Sequence, residues 1–479
     1  MSPDLRQQTP DKPVPDLPIP DVNPPEPIAP QQPVAIRPPR RALSAWGAWR
    51  AARANVLALV PEAAYRAPFL RGKNLGGRWS MAMAPELVER VLHRNEANYP
   101  RSDITLRMLR PTEGANLFTA DGPDWRWQRR AMVPAFHGRS LAGLAPMMTA
   151  AAETAATRLI AEAEREGMAD VYPAMVLTAC DVIAETMLSG GGGLDRSGLL
   201  EAIDGYIDTV GRLSLLDVLG LPAAIPRPAR LIDRYGPAMD RLIDRVVARR
   251  REEGPRTTPD LLDHLIAAHD PESGRAMDRI ALRNNLLIML VAGHETTALA
   301  LTWALYLLAF HPDAQVKARE EAQSVLGTRA AEAGDLARLP FCRQVLDEAL
   351  RLYPPAGFLS RQAREADTLG GHTIAARETV IVPVYAIQRH RLLWDEPDAF
   401  APERFAPGQS AHHRYAYLPF GAGPRICIGM GFALMEAQIV LATLLARLSF
   451  ALVPETRPVP EMVLTLRPRG GMTLGLTRL

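Results

Sequence analysis

Residues 420–429 read FGAGPRICIG, and this stretch places glycine, proline and arginine around the single cysteine Cys427. A cysteine binds a metal as the thiolate, and the amino terminus of a helix favours that negative charge because its free N–H groups point outward. The apolar segment that follows predicts such a helix over residues 429–450. The stretch therefore predicts a loop that presents one thiolate to a cofactor.

The other residues of the loop have roles that follow from their chemistry. Gly421 and Gly423 permit a tight turn with positive φ, and Gly429 lets the backbone approach a flat cofactor and aim its N–H at the sulfur. Phe420 would exclude water from the sulfur. Arg425 would meet an anionic group on the cofactor edge. A thiolate held in this way suits haem, because thiolate ligation favours cleavage of an O–O bond.

The loop resembles the cysteine-ligand loop of the cytochrome P450 family, whose pattern is F-x-x-G-x-R-x-C-x-G. The fixed positions are occupied by Phe420, Gly423, Arg425, Cys427 and Gly429. The resemblance implies haem b with Cys427 as the ligand of its iron. The residues of this loop that it implies beside the haem are Phe420, Gly421, Arg425, Ile428 and Gly429.

A second motif, AGHETT at residues 292–297, lies in the middle of a long apolar helix that we expect to run from Asp278 to His311. It resembles the oxygen-activating motif of the same family. The resemblance implies that Ala292 leaves room above the haem. It also implies that the catalytic residues Thr296 and Glu295 deliver protons to dioxygen.

Two further sets of residues occur in the family's order. Glu348 and Arg351 lie three apart on one helix face, and Arg404 follows in the sequence PERF. The resemblance implies that these three interlock behind the haem as structural residues.

Trp125 and Arg129 lie four apart in a short helix, and Arg361 lies in the first β region. The resemblance implies that they join Arg425 in binding the haem propionates.

Helical patterns dominate from residue 41 onward, and short β-type runs appear at 372–374 and 379–384. The predicted fold is mainly α with a small β portion. The resemblance makes it the cytochrome P450 fold, with haem between the long central helix and the cysteine-ligand helix. Residues 1–40 are predicted to be a proline-rich disordered tail, and 41–479 a single haem-thiolate monooxygenase domain. The further predicted helices are 85–95, 122–136, 140–166, 171–189, 228–253, 258–269 and 341–353, with a break at the glycines 190–193.

Composition narrows the class of protein. The net charge of +2 gives no electrostatic argument for binding nucleic acid, and the three cysteines form no CxxC pair. Residues 286–310 are long enough to span a membrane, but the carboxylate of Glu295 near their middle favours a buried helix. We therefore expect a soluble, cytoplasmic and bacterial protein without a signal peptide or a transmembrane anchor.

The resemblance implies a monooxygenase that inserts one atom of dioxygen into a C–H bond or a double bond. The pocket is expected near residues 101–118, Met289, Leu290 and 356–359, which are mostly apolar. A hydrophobic substrate follows. The spacing of RLYPP and the following SR, residues 351–361, resembles the fatty-acid and alkane hydroxylating branches of the family more than the small-terpene branches, and terpenoid, steroid, aromatic and polyketide substrates stay open. Only residues 430–479 follow the loop, so electrons from NAD(P)H are expected through a separate ferredoxin or flavoprotein.

Two alternatives stay open. One is a haem-thiolate peroxygenase or rearranging enzyme, although such relatives usually lose the acid and threonine kept here as Glu295 and Thr296. The other is a haem-based sensor or electron carrier, although the sequence shows no output domain. For the redox partner, Arg130 and Arg414 are the predicted contacts.

Overall fold

The central helix of the fold, Arg279–Phe310, begins and ends where its sequence predicts. Asp278 is its N-cap, and the Asp278 side chain accepts a hydrogen bond from the N–H of Ala281 at 2.8 Å. His311 ends the helix because Pro312 follows it and starts the next one.

The computed structural model describes residues 32–40, 43–74, 77–103, 105–106, 115–187, 205, 236–409 and 412–479. The predicted break at residues 190–193, most of the predicted tail and part of the 101–118 segment lie outside the described residues.

The described residues form the following helices and strands. The α-helices are α1 Ala45–Ala54, α2 Pro85–Glu89, α3 Gly122–Met132, α4 Gly138–Glu166, α5 Val171–Met187, α6 Gly236–Glu253, α7 Leu261–Ile266, α8 Arg279–Phe310, α9 Pro312–Leu326, α10 Pro340–Leu352, α11 Val384–Ile387 and α12 Met430–Arg447. The strands are β1 Phe69–Asn74, β2 Gly77–Ala82, β3 Met168–Asp170, β4 Leu359–Gln362, β5 Asp367–Leu369, β6 His372–Ile374, β7 Thr379–Val382, β8 Leu448–Leu452, β9 Val459–Met462, β10 Leu466–Arg469 and β11 Thr473–Arg478.

Short sheets border the helices. A four-stranded sheet has the order β1-β2-β7-β4, in which β2 and β7 are parallel and the other pairs are antiparallel. A second sheet has the order β3-β11-β8, and β5-β6 and β9-β10 are two-stranded. The predicted class, mainly α with a small β portion, is confirmed.

The core surrounds the central helix. Trp303 is fully buried, stacks on Tyr353 at 4.0 Å between ring centres, and donates a hydrogen bond to the carbonyl of Leu466 at 3.0 Å. Two helices are long and apolar enough to cross a membrane, Arg279–Phe310 and Met430–Arg447, and the greater part of each apolar stretch is buried inside the protein. The sequence predicted that Arg279–Phe310 is a buried core helix. Met430–Arg447 is also long and apolar enough to cross a membrane by length and composition alone.

The predicted tail reaches into the folded unit. Residues Pro33–Leu479 form one compact unit, so residues 33–40 belong to it although the sequence assigned them to the tail. The N–H of Val34 donates to the hydroxyl of Tyr306 at 3.1 Å, and the hydroxyl of Tyr353 donates to the carbonyl of Val34 at 2.6 Å. The N–H of Ile36 donates to the hydroxyl of Tyr385 at 3.0 Å. Three tyrosines of the core thus fix this extended segment.

Candidate active site

The loop around Cys427 has the tight turn that its glycines predict. Gly421 and Gly423 have φ values of 72° and 70°. A Cβ atom on Gly423 would lie 1.9 Å from the carbonyl oxygen of Leu92, so only glycine fits there. The N–H of Cys427 donates to the carbonyl of Phe420 at 2.9 Å and closes the loop.

The thiol of Cys427 is exposed, although protein surrounds it closely enough for burial to raise its pKa. The N–H of Gly429 and the guanidinium of Arg129 act in the opposite direction on that pKa. The helix α12 begins at Met430, directly after the loop. The thiol therefore lies on the wall of a recess, with a backbone donor and a cation directed at the sulfur.

Two neighbours of the cysteine pack against apolar residues. The ring of Phe420 packs against the cluster of Ala300, Leu350 and Leu434, which joins the central helix, α10 and α12. Ile428 is half-buried and packs against the main core. Both residues thus fix the loop to the helices on either side of it.

One face of the central helix is accessible although most of the helix is buried. Ala292 is exposed, and Met289, Gly293 and Thr296 are half-buried. These positions are spaced i, i+3, i+4 and i+7, so they form one stripe. A Cβ atom on Gly293 would lie 2.5 Å from Cδ1 of Ile183, so the glycine permits close packing of the central helix with α5.

A cluster of arginines lies beside the loop. Arg361 on β4 is buried, and the backbones of Arg361 and Arg101 form an isolated β-bridge. Burial, with the charge of Arg425, lowers the pKa of Arg361 to about 10, and burial also lowers the pKa of Arg101, with added repulsion from Arg361 and Arg425. Nε of Arg361 is buried without a hydrogen-bond partner among the described residues. An anion bound here would accept a hydrogen bond from Nε of Arg361 and would offset the repulsion between the neighbouring guanidinium groups.

Arg425 has protein partners, which the sequence did not predict. Its Nε donates to Glu96 at 2.8 Å and its Nη2 to Asp121 at 2.6 Å. The guanidinium also lies 4.5 Å from the ring centre of Trp125. Arg425 therefore already has two carboxylate partners. Nε of Arg101 donates to the carbonyl of Phe118, whereas Nε of Arg361 has no hydrogen-bond partner among the described residues.

The helix α3 brings Trp125 and Arg129 to this side of the loop. Trp125 is buried, and burial lowers the pKa of Arg129, whose guanidinium interacts electrostatically with Cys427. Arg130, the next residue, was predicted to face solvent or a redox partner. Its Nε instead donates to Asp270 at 2.7 Å, and Nη1 lies 3.2 Å from Glu272. Arg130 thus fixes α3 to the segment after α7.

Glu295 and Thr296 point in different directions, as adjacent helix residues do. Thr296 donates its hydroxyl to the carbonyl of Ala292 at 2.7 Å on the accessible face. Glu295 is buried, accepts a hydrogen bond from Thr465 at 2.9 Å, and forms an ion pair with Arg467. Of the two predicted catalytic residues, Thr296 therefore has its hydroxyl on the accessible face, whereas the carboxylate of Glu295 is buried and paired with Arg467.

Glu348, Arg351 and Arg404 come together, as the sequence predicted. Arg351 donates to both carboxylate oxygens of Glu348, at 2.6 and 2.8 Å, and Arg404 donates to Glu348 at 3.1 Å. The remaining donors of Arg351 reach the backbone carbonyls of Gln388, Pro397 and Ala399. The buried charges are thus fully hydrogen-bonded, which offsets their desolvation.

The residues present fit a thiolate-bound haem. The accessible thiol of Cys427 would supply the ligand of the iron, and the uncharged stripe of the central helix offers an apolar face. The unpartnered Nε of Arg361 and the crowded guanidinium of Arg101 suit the two propionate carboxylates. Cys427 would hold the iron, and Arg101, Arg129 and Arg361 would hold the propionates.

Sequence reasoning missed Arg101 and the partners of Glu295. Arg101 lies in a segment predicted only to line the pocket. Thr465 and Arg467 lie in a terminal segment that shows only weak strand alternation. No spacing rule connects Thr465 and Arg467 to the central helix, because Thr465 and Glu295 are 170 residues apart in the chain.

Comparisons with known proteins identify the family of the chain. The family model described as cytochrome P450 matches residues 68–474. The chain is 33% identical over 429 residues to putative cytochrome P450 132 of Mycobacterium tuberculosis, which covers 84% of this chain and 90% of the relative. It is 34% identical over 388 residues to cyclooctatin synthase of Streptomyces melanosporofaciens, covering 80% and 83%.

A plant protein is also similar. The 11-oxo-beta-amyrin 30-oxidase of Glycyrrhiza uralensis is 30% identical over 413 residues, which cover 82% of this chain and 78% of the relative. The chain belongs to the cytochrome P450 family of haem-thiolate monooxygenases, which use haem b and take electrons from NAD(P)H through redox partners.

Proposed function

We propose that this monooxygenase inserts one oxygen atom from dioxygen into a C–H bond or a double bond of an apolar substrate, such as a fatty acid, an alkane or a terpenoid. The accessible stripe of the central helix carries this proposal. Met289, Ala292 and Gly293 offer no charge to a substrate, and the nearby Ala356 and Phe358 are also accessible and apolar. A pocket of this kind binds a ligand mainly by removing apolar surface from water.

Bound haem supplies the cleavage of dioxygen, and thiolate ligation favours that step. The chain supplies the ligand, the position of the substrate and the protons. Cys427 would hold the iron through its sulfur, and the N–H of Gly429 would stabilise the negative charge there. The hydroxyl of Thr296 can turn from the carbonyl of Ala292 and donate its hydrogen bond into the pocket.

Glu295 is proposed to pass protons from solvent toward Thr296. Its carboxylate is buried, whereas the side chain of its partner Arg467 is about one fifth exposed. Arg467 therefore connects the carboxylate to the surface. Since Glu295 also accepts hydrogen bonds from Tyr172 and Thr465, it must leave these donors to reach the pocket. The chain keeps both the acid and the threonine, which supports a monooxygenase over a peroxygenase.

The electron donor is proposed to be a separate ferredoxin or flavoprotein. Of the two predicted contacts, Arg130 is engaged with Asp270, whereas Arg414 is exposed and lies 4.8 Å from the ring of Tyr415. Arg414 is thus the better candidate for an acidic partner, because its charge faces solvent.

The test is a ligand titration of the purified haem protein. A fatty acid, an n-alkane and 11-oxo-beta-amyrin would each be added while the haem spectrum is recorded. An apolar ligand that displaces water from the iron gives a high-spin shift. Turnover under isotopically labelled dioxygen, with NAD(P)H and a redox partner, should then place one labelled atom in the product. Unlabelled product that forms only with added peroxide would instead identify a peroxygenase.

A further inference from the structure

The helix α1, Ala45–Ala54, has its large apolar residues on the outside. At roughly 100° per residue, Trp46, Trp49, Arg50 and Arg53 fall on one face of the helix. The opposite face carries alanines, of which Ala52 is buried. A helix that packs on a globular core normally shows the reverse arrangement, with large apolar residues inside and small or polar ones outside.

The exposure of this face is large. Trp46 is 60% exposed, and Leu43, just before the helix, is 42% exposed. The rings of Trp46 and Trp49 lie 4.4 Å apart, and the guanidinium of Arg53 lies 5.4 Å from the Trp49 ring. An exposed cluster of this kind usually marks a contact with a partner or a membrane, whereas a single exposed apolar residue does not.

The charge around the helix has one sign. Residues 27–61 contain no aspartate or glutamate, and their basic residues are Arg37, Arg40, Arg41, Arg50 and Arg53. Arg40 lies 3.6 Å from Glu62, but both side chains are exposed, so water screens this pair. Trp and Arg on one helix face, in a stretch of sequence without aspartate or glutamate, match the two layers of an anionic membrane surface, since Trp prefers the headgroup level and Arg meets phosphate.

We propose that Leu43, Trp46, Trp49, Arg50 and Arg53 form a docking face for an anionic lipid bilayer. The helix would lie in the plane of the interface with its tryptophans among the headgroups and its alanines toward the protein. Charge complementarity selects this occupant over a second copy of the chain, because two copies would bring Arg50 and Arg53 of one face against the same two arginines of the other.

The docking face is connected to the proposed pocket. Asn55 ends α1, donates to the carbonyl of Pro460 at 2.8 Å and accepts from the N–H of Met462 at 3.2 Å. The next turn places Leu57 against Gly357, where a Cβ atom would lie 3.1 Å from the leucine methyl groups. Delivery of an apolar substrate from the bilayer to the pocket follows, and this consequence rests on the proposed function.

The test is flotation of the full-length haem protein with vesicles, which needs no turnover. Vesicles of phosphatidylcholine alone would be compared with vesicles of equal parts phosphatidylcholine and phosphatidylglycerol. The wild type should float with the anionic vesicles at low salt and lose binding as salt rises. Arg50→Gln with Arg53→Gln should lower the partition coefficient about tenfold or more. Trp46→Ala with Trp49→Ala should also release the protein, and the haem spectrum of each variant reports its fold.

Met168→Ala is the matched control, because Met168 is 43% exposed but lies on β3. It should float as the wild type does. A wild type that stays with neither vesicle would overturn the proposal, as would unchanged flotation of the tryptophan variant. A wild-type dimer that the tryptophan variant converts to a monomer, without flotation, would assign the face to a second copy. None of these results depends on substrate turnover.

Discussion

The hydroxyl of Thr465 lies 2.9 Å from Oε2 of Glu295, so the turn between β9 and β10 contacts the middle of the central helix. Arg467 of the same hairpin forms an ion pair with the other oxygen of Glu295. The acid of the oxygen-activating motif is thus held by residues 170 or more positions later in the chain. This arrangement holds the carboxylate away from the accessible face of the helix.

Glu295→Gln should slow turnover while the fold is kept, because the amide fills the same space but cannot carry a proton. We expect turnover to fall about a hundredfold, with an increased solvent isotope effect. The measurement is product formation in light and heavy water. Glu461→Gln on β9 is the matched control and should change neither quantity. Wild-type turnover in Glu295→Gln would remove this residue from the proton path.

Thr296→Ala should bind haem normally and divert electrons to hydrogen peroxide, since the accessible hydroxyl that donates a proton is gone. The measurement is the ratio of product formed to NAD(P)H consumed. Thr302 makes the same bond to the carbonyl four residues earlier, at 2.7 Å, but is fully buried. Thr302→Ala should therefore keep the wild-type ratio. Full coupling in Thr296→Ala would contradict the proposed role.

Glu348→Ala should destabilise the protein strongly, because it leaves Arg351 buried without its carboxylate. The cost is expected to be about 3–5 kcal/mol in the free energy of unfolding. The half-exposed pair Arg343–Asp347 lies on the same helix, and its removal by Arg343→Ala should cost under about 1 kcal/mol. Chemical denaturation of the holoprotein measures both. Equal losses of unfolding free energy in Glu348→Ala and Arg343→Ala would show that burial of the Glu348–Arg351 pair does not increase its contribution to stability.

Asp270→Asn should lower the stability of the protein in a pH-dependent way, because it removes the ion pair that holds Arg130 of α3. Arg130 holds the pKa of Asp270 well below its usual range of about 4. The charged pair therefore stabilises the fold above pH 4 or so, and this contribution is lost as the pH falls further.

The stability difference between wild type and Asp270→Asn should be constant from about pH 7 to pH 5 and shrink below about pH 4. Thermal unfolding across this range is the measurement. Glu272→Gln is the control, because Glu272 is exposed and should matter little. A difference that grows on acidification would have the wrong sign for a lowered pKa.

Local signals in the sequence predicted the elements that carry the site. Asp278 and Pro312 bound the central helix because a cap and a proline act on their own neighbours. Gly421 and Gly423 predicted the turn for the same reason. Glu348 and Arg351 are predictable as a helix pair, but only a family resemblance connected them with Arg404.

Contacts between distant segments were not predictable in this way. That Arg425 faces an anionic cofactor edge stays a prediction, whereas its ion pairs with Glu96 and Asp121, from elsewhere in the chain, were not predicted. Residues 33–40 look like a tail by composition, yet the hydroxyls of Tyr306 and Tyr353 bind Val34. In each case the partner is set by tertiary packing, which composition and periodicity do not encode.

We propose that the sulfur of Cys427 would ligate the iron of bound haem. The most direct measurement is the absorption spectrum of the purified protein after reduction with dithionite and addition of carbon monoxide, for the wild type and for Cys427→Ser. The wild type should show the strongly red-shifted Soret band of thiolate ligation, and the variant should lose it. The same red-shifted band in Cys427→Ser would contradict the account.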